Sequence, residues 1–384
     1  MADDIAVEAD DAPNVVAEQD EVETPTKNAA LSVLQWAKEN HLLSLSGMEE
    51  SIETEDEEAV ADVPGTFNAQ RVQDVFRKRA INLVGFDEAG RRVVIFTKGK
   101  LTATERKFMP SNWPGGFAVE YIYGGIAQVK GNPPPPQAHR PYFEHNGKYC
   151  CGSSVFPANC MGAGTIGLLT RDADGVLHGV SNNHVSGACN HAQPGLPILA
   201  PGPVDVTAEH RAPFTIGRHV RLLPINDGIP ENVDISVNWD ACCFEIVDPE
   251  NVTSMQGNAY DTPLEVADPM PGMLMEKVGR TTGHTHGQIV AQSASPVPVA
   301  YNVREYGITK SVFFEETFII QSFPTPFSKP GDSGSLVVSR DAQGVRRAVG
   351  LVFAGDPDRN LSFILPLRPI LDKLELQIVA GHNL

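Results

Sequence analysis

The sequence predicts a mainly β protein in which a pair of small barrels follows a small αβ unit and a disordered acidic leader. Three observations carry that expectation. Glycine and proline number 34 and 30 among 384 residues, more than a mainly helical bundle holds. From Gly162 onward, short β-branched and aliphatic runs alternate with Gly, Pro, Asn and Asp at the spacing of an all-β fold. Charge is also segregated: residues 1–62 hold 18 of the 48 acids and 2 of the 30 bases. The formal charge of −18 therefore describes a tail, and the remaining residues, with 30 acids against 28 bases, argue against nucleic acid as a partner.

Residues 1–62 form the leader. Its first 27 residues are acidic and aperiodic, a composition that cannot bury a core. From Ala29 to Leu45, Leu31, Val33, Leu34, Trp36, Ala37, Leu42 and Leu43 fall on one face of a short amphipathic helix. That helix reads as a flap on the main body or as a docking element for a partner. An acidic run from Glu49 to Asp62 follows it.

Residues 63–131 read as a small αβ unit. Ala69–Arg79 is helical, Ala80–Phe86 and Arg92–Thr97 are strands across an Asp87–Gly90 turn, Thr104–Phe108 is helical and Ala118–Tyr123 is a strand. Residues 63–110 carry ten bases against four acids, so the leader either folds back on this unit or leaves a solvated basic face. Asn132–Pro136 and Pro141 mark a stiff linker over 132–144.

Residues 145–384 supply ten candidate strands: Gly164–Thr170, Leu177–Asn182, His219–Leu223, Asp240–Ile246, Gly272–Val278, Gly287–Ser293, Phe313–Ile320, Ser335–Val338, Arg347–Phe353 and Leu361–Pro366. A terminal helix over Leu367–Val379 has Pro369 in its first turn. Cys150, Cys151, Cys160, Cys189, Cys242 and Cys243 sit mostly in apolar runs without CxxC spacing, which suggests buried thiols in a reducing compartment. The start lacks a signal-peptide pattern and no apolar run reaches membrane length, so a cytoplasmic protein without membrane contact is expected.

The strongest chemical signal is Gly331-Asp332-Ser333-Gly334-Ser335 ahead of the strand Leu336-Val337-Val338. A serine hydroxyl attacks well only if a base takes its proton and donors receive the charge on the attacked carbonyl. Glycines around Ser333 permit a tight turn in which the N–H groups of Gly331 and Ser333 form an oxyanion hole. The base is expected at His184 in Ser181-Asn182-Asn183-His184-Val185, where a strand runs into a loop. A carboxylate must fix the imidazole tautomer, and Asp240 is favoured over Asp234 because four small or apolar residues follow it. His284 and His286 alternate on one strand face, but the sequence offers no third ligand, so no metal is expected there.

The order His, Asp, Ser, with Ser-Asn-Asn-His-Val, Asp-Ala-Cys-Cys-Phe and Gly-Asp-Ser-Gly-Ser, resembles the trypsin-like, chymotrypsin-fold serine peptidases, and more closely their intracellular bacterial branch. Gly162–Gly167, Ile198–Pro203, Lys277–Gly283 and Ala348–Gly355 share that resemblance, which covers about residues 145–370. It implies a double β-barrel with His184 and Asp240 from the first barrel and Ser333 from the second. It also implies that Asp332 needs an internal partner here, because a long extension replaces the freed N-terminus of secreted relatives. By register, Phe327 falls at the base of the substrate pocket and Gly355 on its wall. The expected activity is serine endopeptidase action through an acyl-enzyme on a polypeptide substrate, without cofactor. Residues 1–131 are expected to restrain it through an intramolecular contact or a regulatory protein. The alternative is a catalytically silent, protease-like peptide-binding module.

Overall fold

The computed structural model describes residues 25–44, 63–129, 141–207, 213–303 and 307–384. Most of the acidic leader and the Pro-rich stretch lie outside these residues, so the expected disorder of the leader and the linker geometry are not described.

The first helix spans Pro25–Glu39. Proline suits the opening turn, where its missing N–H would have had no partner. Ala30, Val33, Leu34 and Ala37 are completely buried on its inner face. Trp36 meets Phe67 and Phe76 edge-on at 5.4 and 5.7 Å. The apolar stripe is thus covered by the chain itself. The helix starts four residues earlier than the sequence suggested, and it stops before His41, which is left-handed.

Helix Gln70–Arg79 leads into strand Ile81–Asp87, which pairs antiparallel with Arg92–Thr97. That strand runs parallel to Phe117–Tyr123, and the crossover carries one helical turn, Ala103–Arg106, fixed by a Thr102–Glu105 capping box. All seven residues of Ile81–Asp87 are buried. The cause is coverage on both sides, the condition under which strands read as continuous apolar runs. The small unit shares a sheet with the second barrel, since Gly85 and Phe86 pair with Ser293 and Gln292.

Beside a smaller four-stranded sheet and a two-stranded ribbon, two β assemblies dominate the rest, as the sequence predicted. In the second, strands Leu274–Gly279, Leu336–Arg340, Arg346–Asp356, Leu361–Pro366, Phe318–Gln321 and Gly283–Ser293 pair in that order. The last pairs with the first, closing a six-stranded barrel. Met275, Ile289, Ile320, Val337, Val349 and Ile364 fill it, each fully buried aliphatic stabilising by roughly 1.5–3 kcal/mol. The first assembly is an open half-barrel of eight strands that includes Leu168–Arg171, Leu177–Ser181, Cys242–Ile246 and Phe214–Leu222.

Several elements differ from the sequence expectation: the strand expected over Gly164–Thr170 is split into Gly164–Thr165 and Leu168–Arg171, and strands such as Lys148–Cys151, Pro197–Ala200 and Val252–Gln256 were not expected. The single strand expected over Phe313–Ile320 is two, Ile308–Phe314 and Phe318–Gln321, because Glu316 between them is left-handed. The strand Val297–Val303, which pairs with Ile308–Phe314, was not anticipated. The terminal helix stops at Leu374 because Glu375 adopts φ 53°, and Gln377–Ile378 then pairs with Leu168–Arg171. All six cysteines are buried and none is in a disulfide. Among the described residues no helix is long and apolar enough to cross a membrane.

Candidate active site

His184 lies in a single helical turn, Asn183–Ser186, two residues beyond the end of strand Leu177–Ser181. The preceding asparagines hold that turn. Asn182 Nδ2 donates to the Asp240 carbonyl at 2.5 Å, and Asn183 Nδ2 donates to the Leu223 carbonyl at 2.7 Å. Asp240 stands just before strand Cys242–Ile246, the neighbour of the His184 strand, and is completely buried. Its Oδ1 accepts the His184 backbone N–H at 2.9 Å, and its Oδ2 pairs with His184 Nδ1 at 2.5 Å. Nδ1 is thereby engaged, while Nε2 of His184 has no hydrogen-bond partner among the described residues. A third contact was not foreseen: Tyr301 Oη donates to Asp240 Oδ2 at 2.9 Å, with its ring 5.3 Å from the imidazole. Burial, and then the Asp240 charge, push the Tyr301 phenol well above its ordinary pKa, so it remains a donor.

Ser333 comes from the closed barrel and is seated against the half-barrel. Thr165 makes the junction: its N–H donates to Ser333 O at 2.9 Å and its Oγ1 to Gly331 O at 2.8 Å. Gly334, at φ 92°, is pressed against the His184 strand end. A Cβ there would lie 2.3 Å from Thr165 O and 2.4 Å from Ser181 Oγ. Glycine alone fits this contact, and it sets Ser333 beside the segment that runs from Ser181 to His184. Ser333 itself is partly exposed. Among the described residues the N–H groups of Asp332, Gly334 and Ser335 are bonded, to Lys329 O, Val352 O and Asp332 O, whereas those of Gly331 and Ser333 have no acceptor.

Asp332 points away into the barrel, where it is fully buried. It accepts from Thr281 N at 2.8 Å, Thr282 N at 3.1 Å, Thr282 Oγ1 at 2.7 Å and Lys329 N at 2.9 Å. Lys277 Nζ, also fully buried, stands 3.4 Å from its Oδ2 and donates to Thr282 Oγ1 at 2.5 Å. Burial pulls the Lys277 ammonium below its ordinary pKa and the Asp332 charge acts against that pull. This cluster is the internal partner that the sequence left open. Its signal was present: in a strand with Met275 facing the core, Lys277 two residues on must face the core as well.

Two of the remaining candidates, Asp234 and Phe327, separate from this centre. Asp234 is exposed and its carboxylate accepts from Ser236 N at 3.0 Å and Ser236 Oγ at 2.6 Å, a local turn, so it does not orient His184. Phe327 is fully buried in the barrel core with Met275, Ile289 and Ile320 and presents no surface for a ligand. Gly355 lies at the far end of strand Arg346–Asp356, and its backbone N–H and C=O both pair with Gln128. His284 and His286 do find a third donor in Glu276, with ligand atoms within 4.8 Å of one another. That carboxylate is already engaged, by Arg346 Nε on Oε1 at 2.6 Å and His284 Nε2 on Oε2 at 2.8 Å. The arrangement is an ion-pair cluster on the outer face of the hairpin whose inner face carries Lys277.

No known family model matches the chain. A curated relative, Protein NARROW LEAF 1 of Oryza sativa subsp. japonica, is 29% identical over 121 residues, or 28% of this chain and 19% of the relative. The chain thus spans about a fifth of that relative's length. Among solved structures it is similar to Nocardiopsis Protease (NAPase), at 18% identity over 60% of this chain and 97% of that one, with a TM-score of 0.39. It is also similar to Thermobifida fusca Protease A, at 16% identity over 60% of this chain and 98% of that one, with a TM-score of 0.39. A glutamic acid specific serine protease gives 15% identity over 60% of this chain and all of that one, with a TM-score of 0.40.

Proposed function

We propose that the chain is a serine endopeptidase in which Ser333 attacks the peptide carbonyl, His184 is the base and Asp240 orients it. Ser333 Oγ forms a bond to the carbonyl carbon while its proton passes to Nε2 of His184. The oxyanion is received by the N–H groups of Gly331 and Ser333. Collapse of the tetrahedral species expels the amine, which takes the proton from His184, and water then releases the acyl group by the same steps in reverse roles. Asp240 stays ionised and stabilises the imidazolium.

The single observation that carries this reading is the engaged Nδ1 of His184. A completely buried carboxylate, bonded to both the backbone and the ring of one histidine, leaves Nε2 as the nitrogen available to a nearby hydroxyl. The two uncommitted N–H groups flanking the Ser333 turn support it. Removing one such donor costs about 10²–10³ in rate in comparable sites. Membership of the intracellular bacterial branch and residence in the cytoplasm belong to the same proposal; six buried cysteines, none in a disulfide, support the cytoplasmic part.

A small fluorophosphonate probe tests the reading, because covalent capture needs an activated hydroxyl and no long substrate groove. Labelling of wild type and its absence in folded Ser333→Ala and His184→Ala is the expected result. Failure of folded wild type to label makes the chain a peptide-binding module instead.

A further inference from the structure

The chain that leaves strand Phe117–Tyr123 does not go directly into solvent. Gly124 and Gly125, at φ 123° and 95°, turn it inward, and a Cβ at either would lie within 3 Å of the Arg359, Leu361 or Phe96 side chains. Gln128 then makes isolated β-bridges between two walls, strands Arg346–Asp356 and Val297–Val303. On one side Gln128 N donates to Gly355 O and Gly355 N donates to Gln128 O, both at 3.1 Å, an antiparallel pair. On the other side Gln128 forms a parallel bridge with Ala300, the neighbour of Tyr301. Ala127 is buried and Val129 packs on the central core.

The two walls are the ones that carry the chemistry. Tyr301 holds Asp240 beneath the His184 ring. Strand Arg346–Asp356 is tied to the nucleophile turn at Val352, whose carbonyl accepts Gly334 N–H at 2.9 Å. Gly355 is three residues, about 10 Å, further along that strand. Because Gln128 runs antiparallel to it, the chain direction at Gln128–Val129 points back toward Val352 and Ser333. An extended polypeptide whose scissile bond reached Ser333 would take the same edge in the same direction, as peptides do when they add a strand to an exposed sheet edge.

We infer that Ala127–Val129 is a resident pseudosubstrate strand: the protein's own chain occupies the polypeptide-binding edge at Gly355, and a substrate must displace it. This deepens the endopeptidase reading and rests on it for the meaning of the edge. It also names the restraint: a tethered segment competes at an effective concentration of order millimolar. A small probe that needs only Ser333 escapes that competition, whereas an extended peptide meets it.

The test separates binding from catalysis. In a Ser333→Ala background, a fluorescein-labelled peptide of the sequence Ile122–Val129 is titrated by anisotropy against the full chain with and without Gln128→Pro, since proline cannot donate to Gly355 O. The expected result is at least tenfold tighter binding with Gln128→Pro and no change with Gln128→Ala, which keeps the backbone donor. Equal affinities in the two backgrounds overturn the inference. Hydrogen exchange of the unsubstituted chain gives a second reading that needs no variant: the Gly355 amide exchanges as slowly as barrel-interior amides if the strand is resident. Exchange at loop rates overturns the proposal even if Gln128→Pro does not fold. Neither measurement depends on turnover, so a chain that fails fluorophosphonate labelling but shows a protected Gly355 amide loses the peptidase reading and keeps the resident strand.

Discussion

The Asp332 carboxylate and the Lys277 ammonium face each other at 3.4 Å with no solvent exposure on either side chain. Asp332 precedes the proposed nucleophile, so the pair ties the Ser333 turn to strand Leu274–Gly279. Lys277→Met leaves a buried carboxylate without its countercharge. Breaking a buried pair from one side costs about 3–5 kcal/mol. Chemical denaturation is expected to show a loss of that order, with much of it recovered in Lys277→Met/Asp332→Asn.

Tyr301 acts through Asp240. Tyr301→Phe keeps the packing against His184 and deletes one hydrogen bond to the carboxylate. Bonds to charged groups are worth about 1.5–3 kcal/mol, so kcat on a peptide ester is expected to fall roughly 10- to 100-fold with KM little changed. Asp240→Asn is expected to cost about 10⁴, as loss of tautomer control does elsewhere. An unchanged kcat in both variants would remove Asp240 from the mechanism.

Gly334→Ala tests how the two barrels meet. The added methyl collides with Thr165 O and Ser181 Oγ at φ 92°. Left-handed strain and overpacking together are expected to cost about 2–5 kcal/mol. Thermal unfolding checks the cost, and fluorophosphonate labelling should slow because Ser333 is displaced from His184.

Acid stability has an identifiable contributor. Burial works to raise the Glu276 carboxyl, yet hydrogen bonds from His284 and Arg346 hold it at about 2, below the ordinary 4.5. A carboxyl depressed on folding stabilises above its unfolded value, and that contribution is lost as pH falls from about 4.5 through about 2. Glu276→Gln is expected to flatten unfolding free energy against pH in that window.

The thiols should be unreactive until the chain opens. Burial, with a smaller push from Glu144, raises Cys150 to about 12, and burial raises Cys151, Cys189, Cys242 and Cys243 as well. Ellman's reagent is expected to react slowly with the native protein and to count six thiols after denaturation.

Much of the site was legible because its parts are local. Glycines around Ser333 are required by a turn, the asparagines before His184 by the hydrogen bonds that hold its loop, and the apolar run after Asp240 by a strand that enters a core. Lys277 was not read from the sequence as the partner of Asp332, although alternation from Met275 carried the signal. Tyr301 was not legible, since Pro298 breaks the alternation of its strand, Val297–Val303, which is not among the strands expected from the sequence. Phe327 was placed by counting along the chain, and counting does not tell which face of a closed barrel a loop residue enters.

The sequence by itself determined which elements form and which residue types are equipped for acyl transfer, because propensity, alternation and turn chemistry act over a few neighbours. Only the tertiary structure decided that Thr165 clasps the Ser333 turn, that Lys277 neutralises Asp332 and that Gln128 lies on Gly355. These pairings join residues 55 to 227 positions apart. Such pairings are selected by barrel closure and by the cost of leaving buried charges and backbone groups unpaired, quantities that do not exist until the chain has folded.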